Sequence, residues 1–148
     1  MGILLNDVKN YYKDYVSGII NLYICSKPFL CWYLKKNNMR LLEISKVLCF
    51  YEIPQLFVAK DAAGSKYICQ VDCEDEVVGY VYISVKISDK RLNEYLHKKV
   101  DLRSLFEHPE NPDHCYEVFM KDDVVMANEV PAIDPESLPE PGDFYEEE

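Results

Sequence analysis

Cys69, Cys73 and the adjacent pair His114-Cys115 are the residues best equipped for chemistry. Three thiolates and an imidazole make an acceptable tetrahedral zinc set. The spacing argues against it. Residues four apart on one strand stand roughly 13 Å apart, too far to share an ion unless a turn intervenes. No Cys-x-x-Cys pair occurs, and the six cysteines (Cys25, Cys31, Cys49, Cys69, Cys73, Cys115) sit mostly in apolar runs. A free thiol packs there as a small hydrophobe. A nucleophilic Cys115 activated by His114 meets a similar objection, because neighbours on a strand point to opposite faces. His97 and His108 fall on helix surfaces or ends. No catalytic residue, metal or cofactor is expected.

The carboxylates come in clusters: Asp72, Glu74, Asp75 and Glu76, then Asp122-Asp123. Each cluster falls in an expected turn, where Asp is favoured for backbone reasons alone. Gly64 and Gly79 stand alone, so no phosphate-binding loop is present. Lys86, Lys90, Arg91, Lys98 and Lys99 form a basic stripe, read either as a solvated face or as a dock for an acidic segment. That segment could be the chain's own tail. The net charge of −10 is unevenly spread: residues 1–99 carry 14 Lys/Arg against 11 Asp/Glu, residues 100–148 carry 2 against 15. The last third repels phosphate, which argues against direct nucleic-acid binding.

Three regions are expected to position these groups. In residues 1–40, Leu4, Val8, Tyr11, Tyr12, Tyr15, Ile19 and Tyr23 recur at helical steps, predicting an amphipathic helical extension and a surface for homo-oligomer formation. The apolar stretch Tyr15–Leu34 imitates a membrane span, but Lys27 and Pro28 interrupt it, and it is read as not spanning. No secretory signal is convincing, and the cysteines suit a reducing cytoplasm.

Residues 41–130 read as an α+β core. Four strands in a meander are expected at Leu41–Tyr51, Gln55–Ala59, Lys66–Cys73 and Val77–Val85. On the fourth, Val81, Ile83 and Val85 face inward and Tyr80, Tyr82 and Ser84 the other way. Ser88 caps a helix over Asp89–Lys99, and Asp101 caps a shorter one with Leu102, Leu105 and Phe106 inward. Tyr116–Met120 and Val124–Val130 make a C-terminal hairpin. The sum is a curled antiparallel sheet covered by two short helices, with a small barrel-like sheet as a variant. Residues 131–148, acidic and proline-rich, are expected to be extended and partly disordered.

Several segments occur in a telling order: Ile53-Pro54-Gln55-Leu56-Phe57-Val58, the Gly64–Cys69 strand entry, Tyr82-Ile83-Ser84, Ser88-Asp89-Lys90-Arg91-Leu92, Val100–Phe106 and Leu138-Pro139-Glu140-Pro141-Gly142. On these the chain resembles, over residues 41–141, a family of uncharacterised bacterial domains, a domain of unknown function. The resemblance implies a fold and a bacterial or phage origin; it carries no information about activity. Residues 1–40 have no counterpart in it.

These observations favour a non-enzymatic protein-interaction domain, such as an immunity- or antitoxin-like subunit or an accessory in a bacterial conflict system. Its partner would be another protein, not nucleic acid or a membrane. Expected contact residues are Phe144 and Tyr145 as apolar anchors on the tail, Tyr80 and Tyr82 on the fourth strand, and Lys90 and Arg91 on the first helix. The alternatives are a small-ligand-sensing module and an enzyme with an unrecognised site.

Overall fold

The computed structural model describes residues 39–147. The expected N-terminal helix and the Tyr15–Leu34 stretch lie outside the described residues. Six strands follow one another: β1 (Met39–Tyr51), β2 (Ile53–Lys60), β3 (Lys66–Asp75), β4 (Gly79–Lys86), β5 (Cys115–Lys121) and β6 (Val124–Val130). Helices α1 (Asp89–Leu96) and α2 (Leu102–Glu107) separate β4 from β5. All strand pairs are antiparallel, and β1 pairs with β6 through Met39↔Asn128 to Leu42↔Val125. The sheet is therefore a closed barrel. The expected antiparallel sheet and two short helices are present, with the sheet in its barrel-like variant: meander and hairpin join in one ring, and the protein is mostly β rather than α+β.

Two apolar layers follow from strand alternation. Phe57, Ala59, Tyr67, Cys69, Tyr82, Tyr116, Val118, Val125 and Ala127 fill the barrel. Leu56, Val58, Ile68, Ile83 and Val85 point outward and pack with Leu92, Tyr95, Leu102, Leu105 and Phe106 of the helices. Both faces of β4 are thus buried, and Tyr82 is 0% exposed. Inside the barrel, Phe57 meets Tyr82 and Tyr67 meets Tyr116 edge to face, with ring centroids 4.9 and 5.0 Å apart. Such pairs contribute about 0.5–1.5 kcal/mol each beyond area burial.

Local chemistry sets the turns and helix ends. Asp75 accepts the Val77 and Val78 N–H groups, and Gly79 follows at φ +85°. Asp122 and Asp123 both have positive φ in the two-residue β5–β6 connection, the backbone pattern of a type I′ hairpin. Ser88 caps α1 through the Arg91 N–H, and Asp101 caps α2 through the Ser104 N–H. The first helix is shorter than its apolar spacing predicts. It ends at Leu96, and Lys98 lies at φ +62°, so Lys98 and Lys99 sit beyond the helix rather than in its last turn.

The acidic C-terminal stretch, expected to be partly disordered, instead docks. Ile133, Leu138 and Tyr145 pack against the outer apolar layer. Arg103 donates to the Pro139 carbonyl at 3.0 Å, the Gly142 N–H donates to Asp101 at 2.9 Å, and the Leu102 N–H donates to the Asp143 carbonyl at 2.8 Å. The physical reason is spacing. Three apolar anchors among the prolines each find the α1–α2 surface, and α2 supplies polar partners for the backbone between them.

Candidate functional site

A cavity of about 1010 Å³ opens at one end of the barrel. It forms because the strands part there. β6 pairs with β1 only as far as Leu42, while β1 continues to Tyr51 against β2. β3 likewise pairs with β2 only from Lys66 to Gln70, so the start of β2 and the end of β3 diverge. Tyr82 spans that gap from inside, donating its hydroxyl to the Pro54 carbonyl at 2.8 Å. Inward side chains Leu42, Ile44, Tyr80, Met120 and Val125 form the apolar part of the wall. Glu43, Glu52, Asp122 and Asp123 supply negative charge around it, against Lys60 and Lys121. Lys121 is committed, donating to the Val77 carbonyl at 2.7 Å.

Beside this mouth the β1–β2 hairpin carries Val47, Phe50 and Tyr51, which are 42, 56 and 72% exposed. Register shifts between Ile44 and Lys46, Val47 and Cys49, and Cys49 and Phe50 disturb the alternation of β1. Bulges of this kind re-aim side chains. The hairpin reverses at Glu52, a non-glycine residue at φ +63°. Sequence reasoning placed Val47, Phe50 and Tyr51 on a strand but singled out none of them. Their apolar character predicts burial, and the only available hint was that nothing fixes their alternation.

A second polar group lies within the barrel. Arg40 donates to the Tyr67 hydroxyl at 2.8 Å, Tyr67 donates to Asp61 at 2.7 Å, and the Arg40 guanidinium lies 5.6 Å from the Tyr116 ring centre. Burial pushes the Asp61 carboxyl up, but the Tyr67 hydroxyl and the Ser65 and Ala63 N–H groups outweigh it and hold the pKa below the ordinary value. Burial also tends to lower the Arg40 pKa, and Tyr67, Tyr116 and Asp61 together more than offset this. The Tyr67 phenol is pushed well up, first by burial and then by its bond to Asp61. Tyr67 therefore stays protonated and links a cation to an anion, a load-sharing arrangement suited to holding the β2–β3 turn on β1. The buried Tyr116 hydroxyl lies near the Tyr67 hydroxyl but makes no well-aligned hydrogen bond among the described residues. No sequence signal joins Arg40, Asp61 and Tyr67, because the register alone brings them together.

The expected contact residues disperse. Tyr80 is half-buried and lines the cavity. Tyr82 is inside the barrel and cannot reach a partner, which corrects its assignment; both faces of β4 are covered, so alternation there does not separate buried from exposed. Lys90 is exposed. Arg91 donates to the Ser104 and His108 carbonyls at 3.3 and 3.4 Å, tying α1 to the end of α2. Tyr145 is half-buried with its ring 5.7 Å from that of Tyr95, while Phe144 remains 45% exposed. Among the described residues no ion pair joins the tail acids to Lys90, Arg91, Lys98 or Lys99.

The thiols and imidazoles are equally scattered. Cys69 lies inside the barrel, where its thiol donates to the Ser84 hydroxyl at 3.4 Å and burial pushes its pKa up to about 12. Cys73 is exposed, and Cys115 packs in the outer layer with its thiol toward the Pro112 carbonyl. His97 contacts the Asn93 carbonyl, His108 pairs with Glu107, and His114 approaches Asn111. Among the described residues no cluster of His, Cys, Asp and Glu has a metal-binding arrangement. No described helix is long and apolar enough to cross a membrane.

One protein family matches the chain, over residues 33–148; its description is a family of unknown function (DUF6575). No curated protein and no solved structure matches it.

Proposed function

We propose that this chain, which belongs to the DUF6575 family, is a non-enzymatic protein-interaction domain whose binding face is the β1–β2 hairpin and the adjoining barrel mouth. One observation carries this reading: Val47, Phe50 and Tyr51 stand exposed together on one hairpin beside a cavity with an apolar wall. Clustered exposed apolar side chains cost solubility, and on soluble domains they mark contact sites. Aromatic residues there supply large area with few rotatable bonds, which suits an interface anchor. An immunity- or antitoxin-like or accessory role in the bacterial cytoplasm fits a domain that binds and does no chemistry.

Capture from the native host tests the reading. The full chain should retain a stoichiometric protein partner, and the triple variant V47S/F50S/Y51S should lose it while keeping its thermal melt. A full chain that retains no stoichiometric partner, or a variant that retains it equally, overturns the proposal. A second reading, a small-ligand module, is favoured by the cavity volume, which lies at the upper end of the roughly 300–1,000 Å³ of drug-sized sites. Native mass spectrometry of the purified protein would then show a small molecule released on denaturation, and a bare mass would count against it.

A further inference from the structure

The cavity at the barrel mouth sets negative charge against apolar and aromatic surface. Ile44, Phe50, Tyr80 and Met120 line it, and so do the carboxylates of Glu43, Glu52, Asp122 and Asp123. Among the described residues no ion pair engages any of these four carboxylates. The two lysines of the lining are drawn elsewhere. Lys121 donates to the Val77 carbonyl at 2.7 Å. Lys60 faces Asp89, whose carboxyl is held below its ordinary pKa first by Lys66 and then also by Lys60. Carboxylates around one cavity repel one another, and a cation entering it is attracted to all of them. Phe50, 56% exposed, and the half-buried Tyr80 add aromatic rings, whose faces attract cations as well.

We infer that the barrel mouth binds an organic cation, a quaternary ammonium or protonated amine carrying a hydrocarbon body. The inference rests on the small-ligand reading above and names the class of ligand. The hydrocarbon lies on the apolar wall at Ile44, Tyr80 and Met120, where leaving water is favourable. The cationic head lies among the four carboxylates and against the aromatic rings, so both halves of the molecule meet their complement. Other ligand classes satisfy only one half. An anion is repelled by the rim. A neutral apolar molecule leaves the carboxylates facing hydrocarbon, which costs their hydration. A bare metal ion gains nothing from the apolar wall, and among the described residues no cluster of His, Cys, Asp and Glu is arranged to hold one.

Calorimetric titration of the full chain at low salt, with each probe below its micellar concentration, tests this. Octyltrimethylammonium and octylammonium carry the inferred chemistry. Octyl sulfate reverses the charge, octyl glucoside removes it, and tetramethylammonium removes the chain. At least one of the first two should bind about tenfold or more tighter than each of the other three, and the tighter one shows whether the head is alkylated or carries N–H donors. E43Q/E52Q/D122N/D123N should weaken that binding about tenfold. E136Q/E140Q/E146Q/E147Q makes the same charge change on the tail, outside the cavity lining, and should leave it unchanged. The carboxamides keep the side-chain shapes, and Asn tolerates the positive φ of Asp122 and Asp123, so the melting temperature should hold. Should the mouth variant nevertheless not fold, Phe50→Ser, at an exposed position, should weaken the ammonium by about threefold. No binding by either ammonium, equal binding of octyl sulfate, equal weakening by the mouth and tail variants, or an unaffected Phe50→Ser overturns the inference. If octyl sulfate or octyl glucoside binds as tightly as the ammoniums, only the preference for a cation falls. If no probe binds and native mass spectrometry shows a bare mass, the small-ligand reading falls with it.

Discussion

Replacing Asp101 with alanine should cost more stability when the C-terminal stretch is present than when it is removed. One carboxylate oxygen of Asp101 caps α2 through the Ser104 N–H at 3.0 Å and also accepts from the Ser104 hydroxyl. The other accepts the Gly142 N–H at 2.9 Å. Loss of the cap costs about 1 kcal/mol. The helix cannot simply fray to avoid this, because Leu102, Leu105 and Phe106 are all buried. Loss of the Gly142 bond, exposed and therefore nearer an ordinary hydrogen bond than a buried charged one, adds about 1 kcal/mol. Asp101→Ala should thus cost about 2 kcal/mol in the full chain and about 1 kcal/mol in a chain ending at Pro131, a coupling of about 1 kcal/mol. Urea unfolding of the four proteins at pH 7 measures it. Equal costs in both backgrounds would refute the latch, and a cost near zero in the full chain would refute the cap as well. Should the shortened chain not fold, faster hydrogen exchange at the Gly142 amide in Asp101→Ala reads the same bond directly. The pH dependence follows. The Ser104 hydroxyl and the Gly142 N–H hold the Asp101 carboxyl below its ordinary pKa. Its contribution is therefore complete above about pH 4, the unfolded value, and fades as pH falls through the lower folded value.

Asp143 has the opposite sign: burial, then the nearby Glu146 and Asp101 charges, raise its pKa. Asp143→Asn should therefore give a small rise in melting temperature at pH 7 that disappears in acid, since its carbonyl still accepts the Leu102 N–H; a lower melting temperature at pH 7 would contradict this. Gly79 and Gly64 share a positive φ, but a Cβ at Gly79 would collide with the Met120 carbonyl whereas one at Gly64 meets open space. Gly64→Ala should cost about 1 kcal/mol from the backbone alone and Gly79→Ala clearly more, by urea unfolding; equal costs would show that the β4–β5 contact relaxes freely. Asp123, at φ +66°, occupies the glycine position of an Asn-Gly-type hairpin. Asp123→Gly should raise stability by about 0.5–1 kcal/mol, read as a shift in the urea midpoint with an unchanged slope.

Much of the local structure was legible because local chemistry decides it. Ser88 and Asp101 predict their helices through a side-chain bond three residues ahead, and that bond is present in both. The β5–β6 hairpin follows from Asp122-Asp123 between apolar runs. What escaped was decided by distant partners. Barrel closure depends on Leu42 meeting Val125, and neither residue carries a mark of that pairing. The exposed Val47, Phe50 and Tyr51 escaped because bulges break the period on which burial is read. The tail was misjudged because composition weighs its acids and prolines, whereas docking depends on where Ile133, Leu138 and Tyr145 fall relative to a surface built by other elements.

Ring closure has a consequence for how the chain reaches this state. Every strand pair but one joins neighbours in the strand order, and all of those except β4–β5, which α1 and α2 separate, can zip up from a short connection. The β1–β6 seam rests on four paired positions and links the two ends of the described meander. Closing so long a loop is entropically costly and late, and non-local pairing of this kind slows folding. Until it forms, the meander is an open sheet with two bare edges and its aromatic interior accessible to water and to other chains. The short segment Met39–Leu42 thus acts as the clasp of the fold. Losing it would leave the sequential strand pairs intact yet turn a closed barrel into a sheet prone to join its neighbours edge to edge.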